Sequence, residues 1–140
     1  MPTMTDTDPA DPKVLVDLRL PPDPSSPARA RHALNPLENR FDEETLFKLR
    51  LLVSELVTNS VRHAGLGPDA TIGLRVEVLP ERIRVEVSDP GPGFEPGGES
   101  PSIYQDSGWG LYLVEQVATR WGVELEEATR VWFEIDRDRR

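Results

Sequence analysis

The stretch from Glu43 to Ala64 constrains this chain more than any other. Leu46, Leu49, Val53, Leu56, Val57 and Val61 recur at helical spacing there, so the spacing predicts a long helix with one apolar face. Asp42 is placed to cap it, Phe41 and Leu46 to staple its first turn, and Gly65 stands where a left-handed C-cap belongs. Ile72, Leu74, Val76 and Val78 then alternate with polar neighbours, as do Ile83, Val85 and Val87. Leu79-Pro80-Glu81-Arg82 lies between the two runs, which predicts a hairpin.

The remaining elements are read in the same way. Val14, Val16, Leu18 and Leu20 alternate as a half-buried strand, ended by Pro21-Pro22-Asp23-Pro24. Ser26 before Pro27 is a helix start, and a short helix runs from Pro27 to about Leu34. Residues 90–108, dense in Gly, Pro and Ser, form a loop. A second apolar-faced helix spans Leu111 to about Arg120, and Val123 with Leu125, then Val131, Phe133 and Ile135, give a last pair of strands. This order predicts an α+β fold, a two-layer α/β sandwich whose mostly antiparallel mixed sheet carries helices on one face. Residues 1–12 hold almost nothing to bury and read as a disordered tail, 13–136 as one domain, and 137–140 as a second tail. The formal charge of −9 argues against a non-specific grip on nucleic acid or an anionic membrane. With no cysteine, no apolar run long enough to span a bilayer and no signal pattern, the expected location is cytoplasmic.

Three fragments carry chemistry. Glu55 and Asn59 are four apart and project from one helix face; both could simply meet solvent. As a pair they suit two jobs: the Asn59 amide oxygen is a hard ligand for Mg²⁺, and Glu55 can take a proton from an attacking hydroxyl or water. Asp89-Pro90-Gly91-Pro92-Gly93-Phe94 follows an alternating strand. It reads equally as an ordinary turn or as a carboxylate accepting from the exocyclic amine of adenine, with glycines passing close to the ring. Gly108-Trp109-Gly110-Leu111 opens a helix, where phosphate can meet unpaired N–H groups. Lys13 and Lys48 are the only lysines and neither lies in the loop, leaving Mg²⁺, backbone N–H groups and Arg62 or His63 to meet phosphate charge.

In this order, the run from Leu51 to Ala64 and the Asp89–Phe94 motif resemble the Bergerat-fold (GHKL) ATPases. The stretch from Val14 to Ile135, with Arg120-Trp121-Gly122-Val123 and Val131-Trp132-Phe133-Glu134, is most similar to stand-alone bacterial anti-sigma-factor serine kinases. The resemblance implies ATP and Mg²⁺ as cofactors, with Glu55 as catalytic base and Asn59 as metal ligand. It implies further that Asp89, Gly91 and Gly93 form the adenine pocket, that Gly108, Gly110 and Leu111 lie on the phosphate side, and that Thr129 supports the base. Ala128 stands where the family often has glycine. It also implies a sigma factor as partner, with Arg29 as the contact, an antagonist protein phosphorylated on serine, and association into a homodimer. A glutamate base favours serine/threonine phosphorylation or hydrolysis over histidine chemistry, since a hydroxyl or water needs its proton removed before it attacks. The competing reading is a catalytically silent ATP-binding module that responds to nucleotide without phosphoryl transfer.

Overall fold

The computed structural model describes residues 13–63, 69–90, 110–125 and 128–137. They form a five-stranded sheet and three α-helices in the order β1 (Lys13–Leu20), α1 (Ser26–Ala33), α2 (Glu43–His63), β2 (Ile72–Val78), β3 (Arg82–Asp89), α3 (Gly110–Val117), β4 (Arg120–Leu125) and β5 (Thr129–Asp136). The strands lie β1-β2-β3-β5-β4, and each of the four pairings is antiparallel.

Register explains the core. Val16, Leu18 and Leu20 stand opposite Val76, Leu74 and Ile72, and Leu74 and Val76 stand in turn opposite Val87 and Val85. Those continue across β5 to Val131 and Phe133, so one sheet face is apolar from edge to edge. Helix α2 packs on β3 over this face, with α1 and α3 beside it. Its stripe of Leu49, Leu52, Val53, Leu56 and Val57 is at most 2 % exposed. Truncating any one of those leucines to alanine should cost about 2–5 kcal/mol.

The helix ends follow local chemistry. Asp42 Oδ1 accepts the Thr45 N–H at 2.8 Å, which is the expected N-cap, and half-buried Phe41 packs against the core. The start of α1 differs from expectation. Ser25, not Ser26, is the cap residue, because the Ser26 hydroxyl turns inward, is fully buried, and donates to the Pro21 carbonyl. The Asn35-Pro36 stop is a 3₁₀ turn over Asn35–Leu37 that brings Leu37 into the core. In β1 the alternation breaks between Val14 and Val16, so Val14 is 42 % exposed while Val16 is buried.

Helix α3 is shorter than its periodicity suggests. It ends at Val117, and the chain turns at once into β4, with the Thr119 N–H donating to the Glu134 carbonyl and the Asp136 N–H to Thr119 Oγ1. Arg120 is therefore a strand residue. Arg137, assigned to the tail by composition, is held in place: its N–H donates to the Glu81 carbonyl and its guanidinium donates to the Leu79 carbonyl and lies over the Phe41 ring.

The second sheet face carries charge. Arg84 lies 4.4 Å above the Trp132 ring, and ion pairs link Arg75 to Asp17 and Glu77, Arg84 to Glu86 and Glu134, and Arg130 to Glu124. Gly122 is required here, because a Cβ on it would stand 2.8 Å from Trp132 Nε1. No helix among the described residues is long and apolar enough to cross a membrane.

Candidate nucleotide site

Burying a polar side chain costs free energy unless something satisfies it. Among the described residues six polar side chains are buried: Ser26, Asn59, Ser60, Asp89, Thr129 and Glu134. Four of them, Asn59, Ser60, Asp89 and Thr129, belong to one end of the core, where α2 passes over the end of β3 and the start of β5.

Helix α2 supplies two of the four for a simple geometric reason. Its apolar stripe runs Leu49, Val53, Leu56, Val57, and the next inward position is Ser60. The core thus becomes polar one turn before the helix ends. Ser60 Oγ donates to Asp89 Oδ2 at 2.7 Å, a buried bond spanning 29 positions of sequence. Asp89 is the last residue of β3 and stands in register opposite Thr129, the first of β5, so strand pairing fixes both backbones. Asn59 precedes Ser60 and is 8 % exposed, and its Nδ2 is buried without a hydrogen-bond partner. Glu55 lies one turn earlier on the same face and is half-buried. Among the described residues no hydrogen bond or ion pair engages its carboxylate.

The structure therefore brings Glu55, Asn59, Asp89 and Thr129 to one region. Gly110 opens α3, whereas the Leu111 side chain is 1 % exposed and packs in the core, so only its backbone can serve a ligand. Gly91, Gly93 and Gly108 lie outside the described residues. Arg29 is exposed on α1, where its charge helps to hold the Asp23 carboxyl below its usual range, after the hydrogen bonds from Ser25. Ser60 is the residue the motif reading passed over. Its signal was a hydroxyl at a position where the helical stripe calls for an apolar side chain.

The donor set fits Mg-ATP. Rotating the Asn59 carboxamide exchanges its oxygen and nitrogen, so an unpartnered amide is available to a hydrated cation or a phosphate. No group of three His, Cys, Asp or Glu side chains that could hold a metal occurs among the described residues. A cation here would take most of its ligands from phosphate oxygens and water, which is the habit of Mg²⁺. Asp89, a buried acceptor, suits a base edge that offers an amine.

Known proteins resemble this chain in sequence and in fold. The serine-protein kinase RsbW of Listeria innocua is 31% identical over 114 residues, an alignment taking in 71% of this chain and 73% of that one. A Streptomyces coelicolor protein, SCO4941, is 40% identical over 74 residues, covering 51% of this chain and 69% of its own. Among solved structures, the blue-light activated histidine kinase EL346 of Erythrobacter litoralis superposes with a TM-score of 0.57 at 25% identity, over 77% of this chain. This chain spans only 39% of that kinase. The histidine kinase-like ATPase domain model matches residues 20–135, a range that holds Glu55, Asn59, Asp89 and Thr129 together, and the chain belongs to that family.

Proposed function

We propose that this chain binds Mg-ATP and transfers its γ-phosphoryl group to a serine or threonine of a partner protein, as an anti-sigma-factor-type kinase. One observation carries the reading: the unpartnered Asn59 carboxamide, the half-buried Glu55 and the Ser60-bound Asp89 share one end of the core. In this reading Asp89 accepts from the adenine amine, and Thr129 supports it from the facing strand. Asn59 would hold Mg²⁺, which when bound would neutralise charge on the phosphates. Glu55 takes the proton of the attacking hydroxyl. Gly91 and Gly93 would border the base, and Gly108 and Gly110 the phosphates.

The similarity to a serine-protein kinase supports a hydroxyl as acceptor. The partners that follow are a sigma factor, met through exposed Arg29, and an antagonist protein carrying the serine, with the kinase acting as a homodimer. A cytoplasmic location follows from such partners.

Calorimetry with Mg²⁺ tests the site. Wild type should bind ATP, and Asp89→Asn and Asn59→Ala should each weaken binding by at least roughly tenfold. Transfer of labelled phosphate to a serine-bearing antagonist, lost in Glu55→Gln, tests the kinase. Binding with no transfer to any antagonist would favour the silent nucleotide-responsive module. No ATP binding at millimolar concentration would sink both readings.

A further inference from the structure

The bond from Ser60 to Asp89 has no part in the roles given so far, yet it joins the helix that carries Asn59 to the strand that carries the base-reading carboxylate. From this geometry we propose that Ser60 is a positioning residue that sets the purine preference of the site. The inference rests on the reading of Asp89 as the adenine acceptor.

The torsion that turns a carboxylate about its own axis is broad, so strand pairing alone fixes the Asp89 backbone and not the plane of its oxygens. A buried hydroxyl at 2.7 Å fixes that plane, because hydrogen bonds to an ionised acceptor are short and strong. The direction of the bond is also determined. A carboxylate only accepts, so Ser60 must donate, and Asp89 is held as an acceptor facing the base. Adenine presents an amine there and a 6-oxopurine presents a carbonyl, so the held carboxylate favours the first and repels the second.

The polarity logic extends to a variant. In Asp89→Asn, Ser60 can go on donating to the side-chain oxygen, which turns the amide NH₂ toward the base. That arrangement suits the carbonyl of a 6-oxopurine. Without the Ser60 hydroxyl nothing in this pair selects one orientation of the amide over the other.

The test titrates the full chain calorimetrically with Mg-ATP and Mg-ITP, with thermal melts run in parallel. Ser60→Ala should weaken ATP roughly tenfold and ITP far less, narrowing the preference, and Ser60→Thr, which keeps the hydroxyl, should restore it. Asp89→Asn should move the preference toward ITP, and adding Ser60→Ala to it should remove that shift. A folded Ser60→Ala with the wild-type ATP-to-ITP ratio overturns the inference. So does a variant that loses both nucleotides equally in step with its melting temperature, since that is the mark of a structural role. Should Ser60→Ala not fold, an Asp89→Asn protein without relative gain for ITP overturns it instead. Wild type binding neither nucleotide would defeat the ATP reading itself, whereas wild type binding ATP with an unmoved preference in Ser60→Ala defeats only this inference.

Discussion

Replacing Glu134 by glutamine isolates the charged face of the sheet from the apolar one. Glu134 points away from the helices, yet it is only 9 % exposed because arginines close over it. Arg120 Nε donates to it at 2.8 Å and Arg84 Nη1 at 3.2 Å, while Arg82 Nε stands 3.4 Å away. Each bond between a charged donor and a carboxylate contributes about 1.5–3 kcal/mol where solvent is excluded. Here Arg84 is 24% exposed and Arg120 47%, so water takes over much of the second. Glutamine keeps one acceptor oxygen and loses the charge that offsets three guanidiniums. The expected cost is about 2 kcal/mol at pH 7, or roughly a 5–8 °C drop in melting temperature for a chain of this size.

The pH dependence supplies the stricter check. Burial pushes the Glu134 carboxyl up, but the hydrogen bonds from Arg120 and Arg84 and the charges of Arg82 and Arg120 outweigh it and leave it below its ordinary value of 4.5. A carboxylate lowered on folding stabilises fully above its unfolded pKa, and that contribution is lost as the pH falls through the folded one. The gap between wild type and Glu134→Gln should therefore hold from pH 7 down to about 4.5 and close below it. Urea melts at pH 7, 5 and 3 measure it. A gap under about 0.5 kcal/mol at pH 7, or one that persists at pH 3, would refute the argument. ATP affinity should stay within roughly twofold, since Glu134 and Asp89 lie on opposite faces of the sheet.

Asn59→Ala removes a buried amide with no partner, so the protein without nucleotide should be as stable as wild type or up to about 1 kcal/mol more stable, while the melting-temperature rise with Mg-ATP disappears. A loss of both would mean that Asn59 is structural. Glu55→Gln should leave ATP affinity within about threefold and lower phosphoryl transfer by roughly a hundredfold or more, read in single-turnover assays. Gly122→Ala places a methyl 2.8 Å from Trp132 Nε1, so it should cost about 1–3 kcal/mol in a denaturant melt, where an unchanged midpoint would count against the contact.

The fold was legible where a single period runs unbroken. Helix α2 and the hairpin of β2 and β3 lie where their apolar spacings place them, and Asp42 caps α2 as its position implies. The misreadings share a cause, which is that tertiary partners overrode a local pattern. Arg120 has helical neighbours in sequence, but Thr119 and Arg120 reach across to Glu134 and commit the segment to a strand. Gly122 carries no periodic signal of its own, and it is the residue that lets Trp132 lie across β4. Arg137 looked like tail, because nothing in its neighbours discloses that Leu79 and Phe41 will be waiting for it. Of the residues gathered at the candidate site, Glu55, Asn59 and Asp89 stand out in the sequence by motif and spacing. Ser60 interrupts the apolar stripe of α2, but its partner lies 29 positions away and only the fold brings the two together.

That partnership explains why one helix can serve as both core and binding surface. From Leu46 to Val57 the inward face of α2 is hydrocarbon, which holds the helix against the sheet whatever happens beyond it. The buried polar positions of the helix begin only at Asn59 and Ser60. Of these, the serine is satisfied inside the protein and the asparagine amide is not. The satisfied residue locks the geometry of the carboxylate that would read the base. The unsatisfied one stores a small free-energy cost that a bound phosphate and its cation would relieve. The asymmetry follows from adjacency, because successive residues on a helix point about 100° apart. With Ser60 turned to the strand end, Asn59 must face along the side of the helix shared with Glu55, where a phosphate chain would lie.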